Sequence, residues 1–290
     1  MHFLTVCANI KGTGCSVFSA FADRLYLNPA YAGTDYCPKL ALSYRNQWPG
    51  VQFPYVTYSA SIDKYIPALS GGLGFRIMND KQGNGTFNQL GADIIYSYHV
   101  NLSKKILAKF ALQASVYQKS MNVRDLIYPN MVDPLLGVVN PNSEGLADES
   151  FITPDFSAGV LLNYKGYFIG FSANHIPHTL VENHSEYFSM KYTAHAGALI
   201  PIDNNDSRKA NFALEPNIVL INQQNMNMLY YGMYFDINKA SIGAFLRNNL
   251  ELHFDAMILS FHLNINNLVI SYSYDVTLSR LLGNHWVHTS

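Results

Sequence analysis

The chain alternates. Between residues 89 and 100, Leu90, Ala92, Ile94, Tyr96, Tyr98 and Val100 share one parity, while Gln89, Gly91, Asp93, Ser97 and His99 share the other, with Ile95 as the exception. Successive side chains of a strand point to opposite faces, so this period of two predicts a β-strand with one apolar and one polar side. The segment 105–117 repeats the scheme, with Ile106, Ala108, Phe110, Leu112, Ala114 and Val116 opposite Lys105, Lys109, Gln113 and Ser115. So does 155–164, where Phe156, Ala158, Val160, Leu162 and Tyr164 oppose Asp155, Ser157, Gly159 and Asn163. A helix would scatter these residues around its circumference.

Further segments with alternation or strand composition lie at about 39–46, 55–63, 70–79, 166–176, 189–200, 210–222, 227–237, 240–248, 253–264 and 267–275, making thirteen in all. Most are longer than the ~5–6 residues typical of globular strands. They are close to the ~9–11 that a tilted strand needs to cross a bilayer. The predicted fold class is therefore all-β, a transmembrane antiparallel β-barrel. Single-chain bacterial barrels have an even strand count, so about 14 strands are expected with 13 visible. After Asp275 the alternation stops, and the last strand is expected to be missing or altered. Pro216 lies inside a predicted strand and implies a bulge or local break, because proline cannot donate to a ladder.

Connection lengths test the same reading, since such barrels have tight turns at one end and longer loops at the other. Lys165-Gly166, Asn238-Lys239 and Asn266-Asn267 are predicted two-residue turns of one end. Asn79–Gly85, 177–188, Asn248–Leu252 and an insertion from Gln118 to Ile152 fall at the other. Two connections fit less well: Pro201–Arg208 is long for a turn, and the one near Asn225 is short for an outer loop. The expected organisation is a degenerate or truncated signal segment at 1–17, a pre-barrel segment at 18–38 and a barrel at 39–290 with a long outer loop at 118–152.

Composition sharpens this picture. Tyr 20, Phe 17 and Trp 2 together match in number the 19 basic and 20 acidic side chains, and the charged fraction is 13%. Soluble domains carry about 25%, so something other than water is expected to face part of the surface. Spanning helices are excluded, because no stretch approaches the ~18 uninterrupted apolar residues they require. A net charge of −1 without a dense Lys/Arg block argues against nucleic-acid binding. The three cysteines, Cys7, Cys15 and Cys37, suit neither a disulfide framework nor a four-ligand zinc site. Lys11 interrupts the apolar start, which makes a poor secretory signal. Gly12-Thr13-Gly14 before Cys15 lacks the aliphatic residue that lipid attachment would use.

Candidate chemistry is sparse. His175-x-x-His178 with His184 is the closest ligand cluster, but i and i+3 point to different faces of an extended chain and Pro177 bends it. A solvated loop is the simpler reading. No nucleophile elbow of G-x-S-x-G type occurs, and a Ser–His pair on neighbouring strands would have to be shown by geometry. No cofactor and no catalytic residue is expected. Gly71-Gly72-x-Gly74 lacks the G-x-G-x-x-G order of a phosphate cradle and reads as a place of tight bending and close backbone approach. The long insertion, with Asp125, Asp133, Glu144, Asp148 and Glu149 against Lys119 and Arg124, is net acidic. Long loops are either binding elements or passive shields.

Two motifs carry a specific resemblance. Leu25-Tyr26-Leu27-Asn28-Pro29-Ala30-Tyr31-Ala32-Gly33-Thr34, followed by Ser43-Tyr44-Arg45-Asn46-Gln47-Trp48-Pro49-Gly50-Val51, closely resembles the signature of the PorP/SprF family of type IX secretion and gliding-associated membrane proteins. Asn130-Met131-Val132-Asp133-Pro134 and Asp155-Phe156-Ser157-Ala158-Gly159 resemble its long-loop region, and Ser271-Tyr272-Ser273-Tyr274-Asp275 the pattern near its end. The resemblance runs over about residues 18–280. It departs at both ends, where a signal peptide and a final strand running to an aromatic end are expected of the family. Gly283-Asn284-His285-Trp286 starts similarly to that strand and then diverges.

The resemblance implies an outer-membrane barrel of Bacteroidetes-type Gram-negative bacteria, bathed in outer-membrane lipid. Its implied partners are type IX machinery components, the C-terminal sorting domain of exported proteins, or both. It implies no catalysis. The segment Asn28-Pro29-Ala30 is expected to pack inside the barrel as a plug, its rigid proline and small alanine fitting a narrow lumen, and Trp48-Pro49 to sit at the interface end of the first hairpin. Bulky inward positions Ile95, Tyr117 and Leu161 point to a filled lumen. The leading function is docking of machinery or cargo through outer loops and rim. Its rivals are a small porin or hydrophobic-solute channel, and a soluble ligand-binding barrel that would purify without detergent.

Overall fold

The computed structural model describes residues 2–9, 24–48, 54–122, 132–133, 137–138, 149–176, 189–203, 212–224, 226–249 and 254–277. Fourteen antiparallel strands form a closed barrel. In chain order they are β1 (His2–Asn9), β2 (Lys39–Gln47), β3 (Tyr55–Ile66), β4 (Gly71–Gln82), β5 (Phe87–Ser103), β6 (Ile106–Met121), β7 (Glu149–Tyr164), β8 (Tyr167–Asn174), β9 (Lys191–Ala198), β10 (Phe212–Gln223), β11 (Met226–Ile237), β12 (Ala240–Asn249), β13 (Phe254–Ile265) and β14 (Leu268–Thr277). Each pairs with its sequence neighbours, and β14 pairs with β1. A two-residue strand, Ile200–Pro201, adds to the edge of β10, and Val132–Asp133 pairs with Gly137–Val138 apart from the barrel.

All thirteen predicted strands are present, and the fourteenth is His2–Asn9 rather than a strand after Asp275. Among the described residues, closure is made by the pairing of β14 with β1. Thr5 of β1 pairs with Ser43 on one side and Ser271 on the other, so His2–Asn9 is wall, within the range 1–17 expected to precede the barrel. Hydrocarbon offers backbone amides no partner, and a strand at this place leaves no open edge. Residues 278–290, including Gly283-Asn284-His285-Trp286, lie outside the described residues.

Wall strands also run further than predicted. β4 continues to Gln82 and β5 starts at Phe87, which reduces the expected loop Asn79–Gly85 to a short turn at Gly83–Gly85. Gln118 pairs with Ile152 and Met121 with Glu149, so the long connection begins after Met121 rather than at Gln118. Most of it, with Pro134, lies outside the described residues. At Pro216 the predicted break appears on one side only. Pairing of β10 with β9 ends at Gly197↔Asn217 and resumes with Ile200↔Leu214, whereas its pairing with β11 runs through Pro216↔Met233 without a shift.

The parity that predicted the strands is the parity that separates the barrel's outer face from its lumen. Ile94 is 65% exposed and its neighbour Ile95 is fully buried. Tyr44, Tyr58, Tyr192, Tyr272 and Tyr274 stand on the outer surface toward the loop end, and Tyr96, Tyr98, Tyr164 and Tyr167 toward the turn end. Their amphipathic rings suit the two membrane interfaces. No helix among the described residues is long and apolar enough to cross a membrane.

Candidate functional site

The inward parity is polar. Arg76, Asp93, Lys109, Gln113, Asp155, Thr193, Glu215 and Ser271 are all buried. Such groups need partners away from water, and on the β3–β9 side Asp63, Ser97, Lys109 and Ser172 find theirs in the segment Arg24–Thr34. That segment consists of a single helical turn, Arg24–Leu27, and a 3-10 turn, Pro29–Tyr31. Asn28 joins the two turns as a cap, its extended φ of −154° placing Oδ1 to accept the Ala30 amide at 2.9 Å. Pro29 suits the first position of the turn, where an amide would have no partner.

Asn28 is fully buried and serves three strands at once. Its Nδ2 donates to Val160 O of β7 at 3.0 Å and Phe171 O of β8 at 3.2 Å, and lies 3.1 Å from His195 Nε2 of β9. The Tyr31 ring stacks on His195 at 5.4 Å, and burial pushes its phenol above the ordinary range. Further anchors run around the wall. Gly33 N donates to Asp63 Oδ2 of β3 at 2.9 Å, Ser97 Oγ of β5 to Ala30 O at 3.3 Å, Lys109 Nζ of β6 to Thr34 Oγ1 at 2.8 Å and Ser172 Oγ of β8 to Leu27 O at 2.9 Å. His99 Nε2 lies 3.1 Å from Ala32 O.

Close packing explains two glycines. A Cβ on Gly159 would sit 2.1 Å from Asn28 Oδ1, and one on Gly72 would sit 2.2 Å from Ala32 O. Gly72 is the middle of the Gly71-Gly72-x-Gly74 cluster, so the expected close approach is to the inner segment itself. Apolar contacts complete the fit: Leu25 and Ala32 pack on Ile95, and Ala30 packs on Ala111 and Leu161. A cavity of ≈ 20 Å³ bounded by Arg24, Tyr31, Asp35 and Asp63 remains toward the turn end, about enough for one water.

The loop-side face of the segment differs. Tyr26 is 46% exposed there, with Lys191 Nζ 4.0 Å and Arg76 Cζ 5.2 Å from its ring centre. The Lys191 ammonium, and behind it Arg76 and Arg45, hold the Tyr26 phenol below its usual range. Arg76 is paired with Asp93 at 2.6 Å, and Arg247 with Asp255 at 2.6 Å and Asp275 at 3.0 Å.

The expected motif residues therefore divide into groups. Asn28, Pro29, Ala30, Tyr31 and Gly33 form the inner segment. Arg45 and Gln47 lie on the inward parity of β2, and Asp275 lines the loop-side lumen on β14, which flanks β1 on its other side. Asp155 accepts His175 Nδ1 at 2.9 Å, so that histidine closes the end of β8; His178 and His184 lie outside the described residues, and no group of three metal-ligating residues occurs among those described. Tyr44, Trp48 and Tyr274 face outward. Tyr44 packs on Tyr58 at 5.3 Å and Trp48 edge-on against Tyr55 at 5.1 Å. Asp133 is in the small pair beyond the wall, and Pro49 is outside the described residues. Cys37, just after the segment, is disulfide-bonded, which the count of three cysteines did not suggest. His195, Asp63, Ser172 and Lys191 were not singled out from the sequence, and Ser97 and Lys109 only as members of a polar strand face. Their signal was a polar residue on the inward parity of a barrel strand.

A family model described as Type IX secretion system membrane protein PorP/SprF matches residues 15–289. No curated protein matches the chain.

Proposed function

The chain belongs to the PorP/SprF family of type IX secretion system membrane proteins, and from that premise we propose that it is a plugged, non-enzymatic barrel of the Gram-negative outer membrane. In this reading it supports export or surface anchoring by docking machinery components, or the C-terminal sorting domains of exported proteins, at its loop end. The observation that carries the reading is the inner segment Arg24–Thr34, bonded to strands β3, β5, β6, β7 and β8. A diffusion channel needs a continuous aqueous path. A barrel whose lumen is occupied by its own chain is suited instead to presenting a rigid rim, and rigid surfaces bind at lower entropic cost.

Two measurements on detergent-purified protein test this. In planar bilayers the protein is expected to be electrically silent. In a pull-down with a recombinant sorting domain and with solubilised machinery subunits, at least one is expected to co-purify stoichiometrically. Sustained single-channel currents from the unmodified protein, with neither partner retained, would replace docking by the channel reading.

A further inference from the structure

We propose that the turn-end rim of the barrel binds anionic phospholipid headgroups of the leaflet on that side, through Lys64, Lys104, Lys105, Lys165 and Lys239. The proposal rests on the membrane-barrel part of the reading above and is independent of docking at the loop end.

The five lysines are exposed and lie in or beside four short connections, β3–β4, β5–β6, β7–β8 and β11–β12. Among the described residues the exposed carboxylate at this end is Asp203, whose Oδ1 accepts the Phe212 amide at 3.2 Å. Asp35 and Lys39, also at this end, line the inner cavity instead. In sequence, the connections 10–23 and 204–211 add Lys11, Arg208 and Lys209 against Asp23 and Asp206, so they do not cancel the excess of basic charge. The loop end differs. Among its described residues Lys81 is the exposed lysine or arginine, and Asp80 precedes it. A field of one sign confined to one rim attracts an anionic surface on that side.

Direction separates a membrane from a protein capping the barrel. Lys64 has the outward parity of β3: it pairs with Leu73 of β4, which pairs with Tyr96 of β5, and both of those side chains are exposed on the outer wall. An ammonium in this row, beside the aromatic belt, stands where a lysine stem lies along apolar surface while its head reaches the headgroup layer. Lys165 leans the same way. Its Nζ lies 5.6 Å from the ring centre of Tyr164, and that ring is exposed on the outer wall. Lys104 and Lys105 follow Leu102, which is 61% exposed. Lysines set directly beyond an outward apolar band fit a ligand with a negative phosphate above acyl chains. A soluble acidic protein would gain nothing from that band. The ammonium, a compact point charge with rotatable donors, suits a phosphate that it meets without fixed geometry.

The probes are phosphatidylglycerol and phosphatidylcholine with identical acyl chains, offered in equal amounts to the full chain in dodecyl maltoside and read by native mass spectrometry. Retained phosphatidylglycerol is expected to exceed phosphatidylcholine at least tenfold. One lysine near an anionic surface contributes about fivefold, so Lys64→Gln and Lys165→Gln should each lower the ratio severalfold. With all five lysines changed to glutamine the two lipids should be retained equally, whereas Lys81→Gln, at the loop end, should leave the ratio unchanged. Equal retention by the unmodified protein, an unchanged ratio in the five-lysine variant, or an effect of Lys81→Gln as large as that of Lys64→Gln would each overturn the proposal. Polyglutamate binding that the five-lysine variant loses, without any lipid preference, would make the rim a face for an acidic protein and would overturn it too. The heat-induced mobility shift in gels reports folding; should the five-lysine variant fail to fold, the two single variants decide. Flotation with phosphatidylcholine vesicles separates the two readings. A protein that inserts into neutral vesicles but shows no lipid preference keeps the membrane barrel and loses the rim, and one that stays soluble without detergent and does not float loses both.

Discussion

Replacing Asn28 with alanine removes a buried cap and two cross-wall donors in one step. The lost cap on the Ala30 amide is worth about 0.5–2 kcal/mol. Each Nδ2 bond to a strand carbonyl adds roughly 0.5–1.5 kcal/mol net. The strand carbonyls have a second lone pair for the ladder, so the larger penalties of orphaned groups fall on the Ala30 amide and on His195 Nε2, and a total of about 2–4 kcal/mol is expected. At ~1.4 kcal/mol per factor of ten, the undocked fraction of the segment rises roughly 30- to 1,000-fold. The assay is amide hydrogen exchange in detergent, followed in peptides covering residues 24–36. The wall strands should keep their protection while the segment loses it, because the wall's ladders do not use Asn28. Gly159→Ala supplies the cross-check. Its new methyl meets Asn28 Oδ1 at 2.1 Å but Pro29 Cγ only at 3.0 Å. In an Asn28→Ala background the worse contact is gone, so the two substitutions should be clearly non-additive. Unchanged exchange in Asn28→Ala, or strict additivity of the pair, would refute the assigned docking geometry.

Three further substitutions test other parts of the same frame. Gly72→Ala drives a methyl to 2.2 Å from the Ala32 carbonyl, backbone against backbone; a loss of about 1–3 kcal/mol should appear as a lower temperature for the heat-induced mobility shift in gels. Asp93→Leu leaves the Arg76 guanidinium buried at 2% exposure and should cost about 3–5 kcal/mol in urea unfolding, with much of it recovered in Arg76→Met/Asp93→Leu. Ile94→Arg puts a cation in the middle of the outward band at a position 65% exposed; folding into liposomes should weaken by about 2–4 kcal/mol, while Leu102→Arg, near the turn end, should cost about 0–1.

The alternation along the chain was enough to determine which residues face outward from the barrel, because an apolar outer face and a polar lumen each select every second side chain directly and locally. Thirteen strand positions were legible for that reason, whereas the motif at Asn28-Pro29-Ala30 was legible only through a family resemblance and the close approach near Gly72 only through glycine's lack of a Cβ. Three things were decided only in three dimensions. Closure by His2–Asn9 rather than by residues after Asp275 depends on which edge lies beside β14, a non-local fact that eight residues with mixed parity do not announce. The partners of Asn28, namely Val160, Phe171 and His195, are more than a hundred residues away, and backbone carbonyls have no sequence signature. The Tyr26–Lys191 contact arises because a helical turn too short to persist alone is held by the wall, which sets one ring beside an ammonium 165 positions later. A bilayer writes its demands on each strand separately, whereas a lumen is written jointly by all the strands that enclose it.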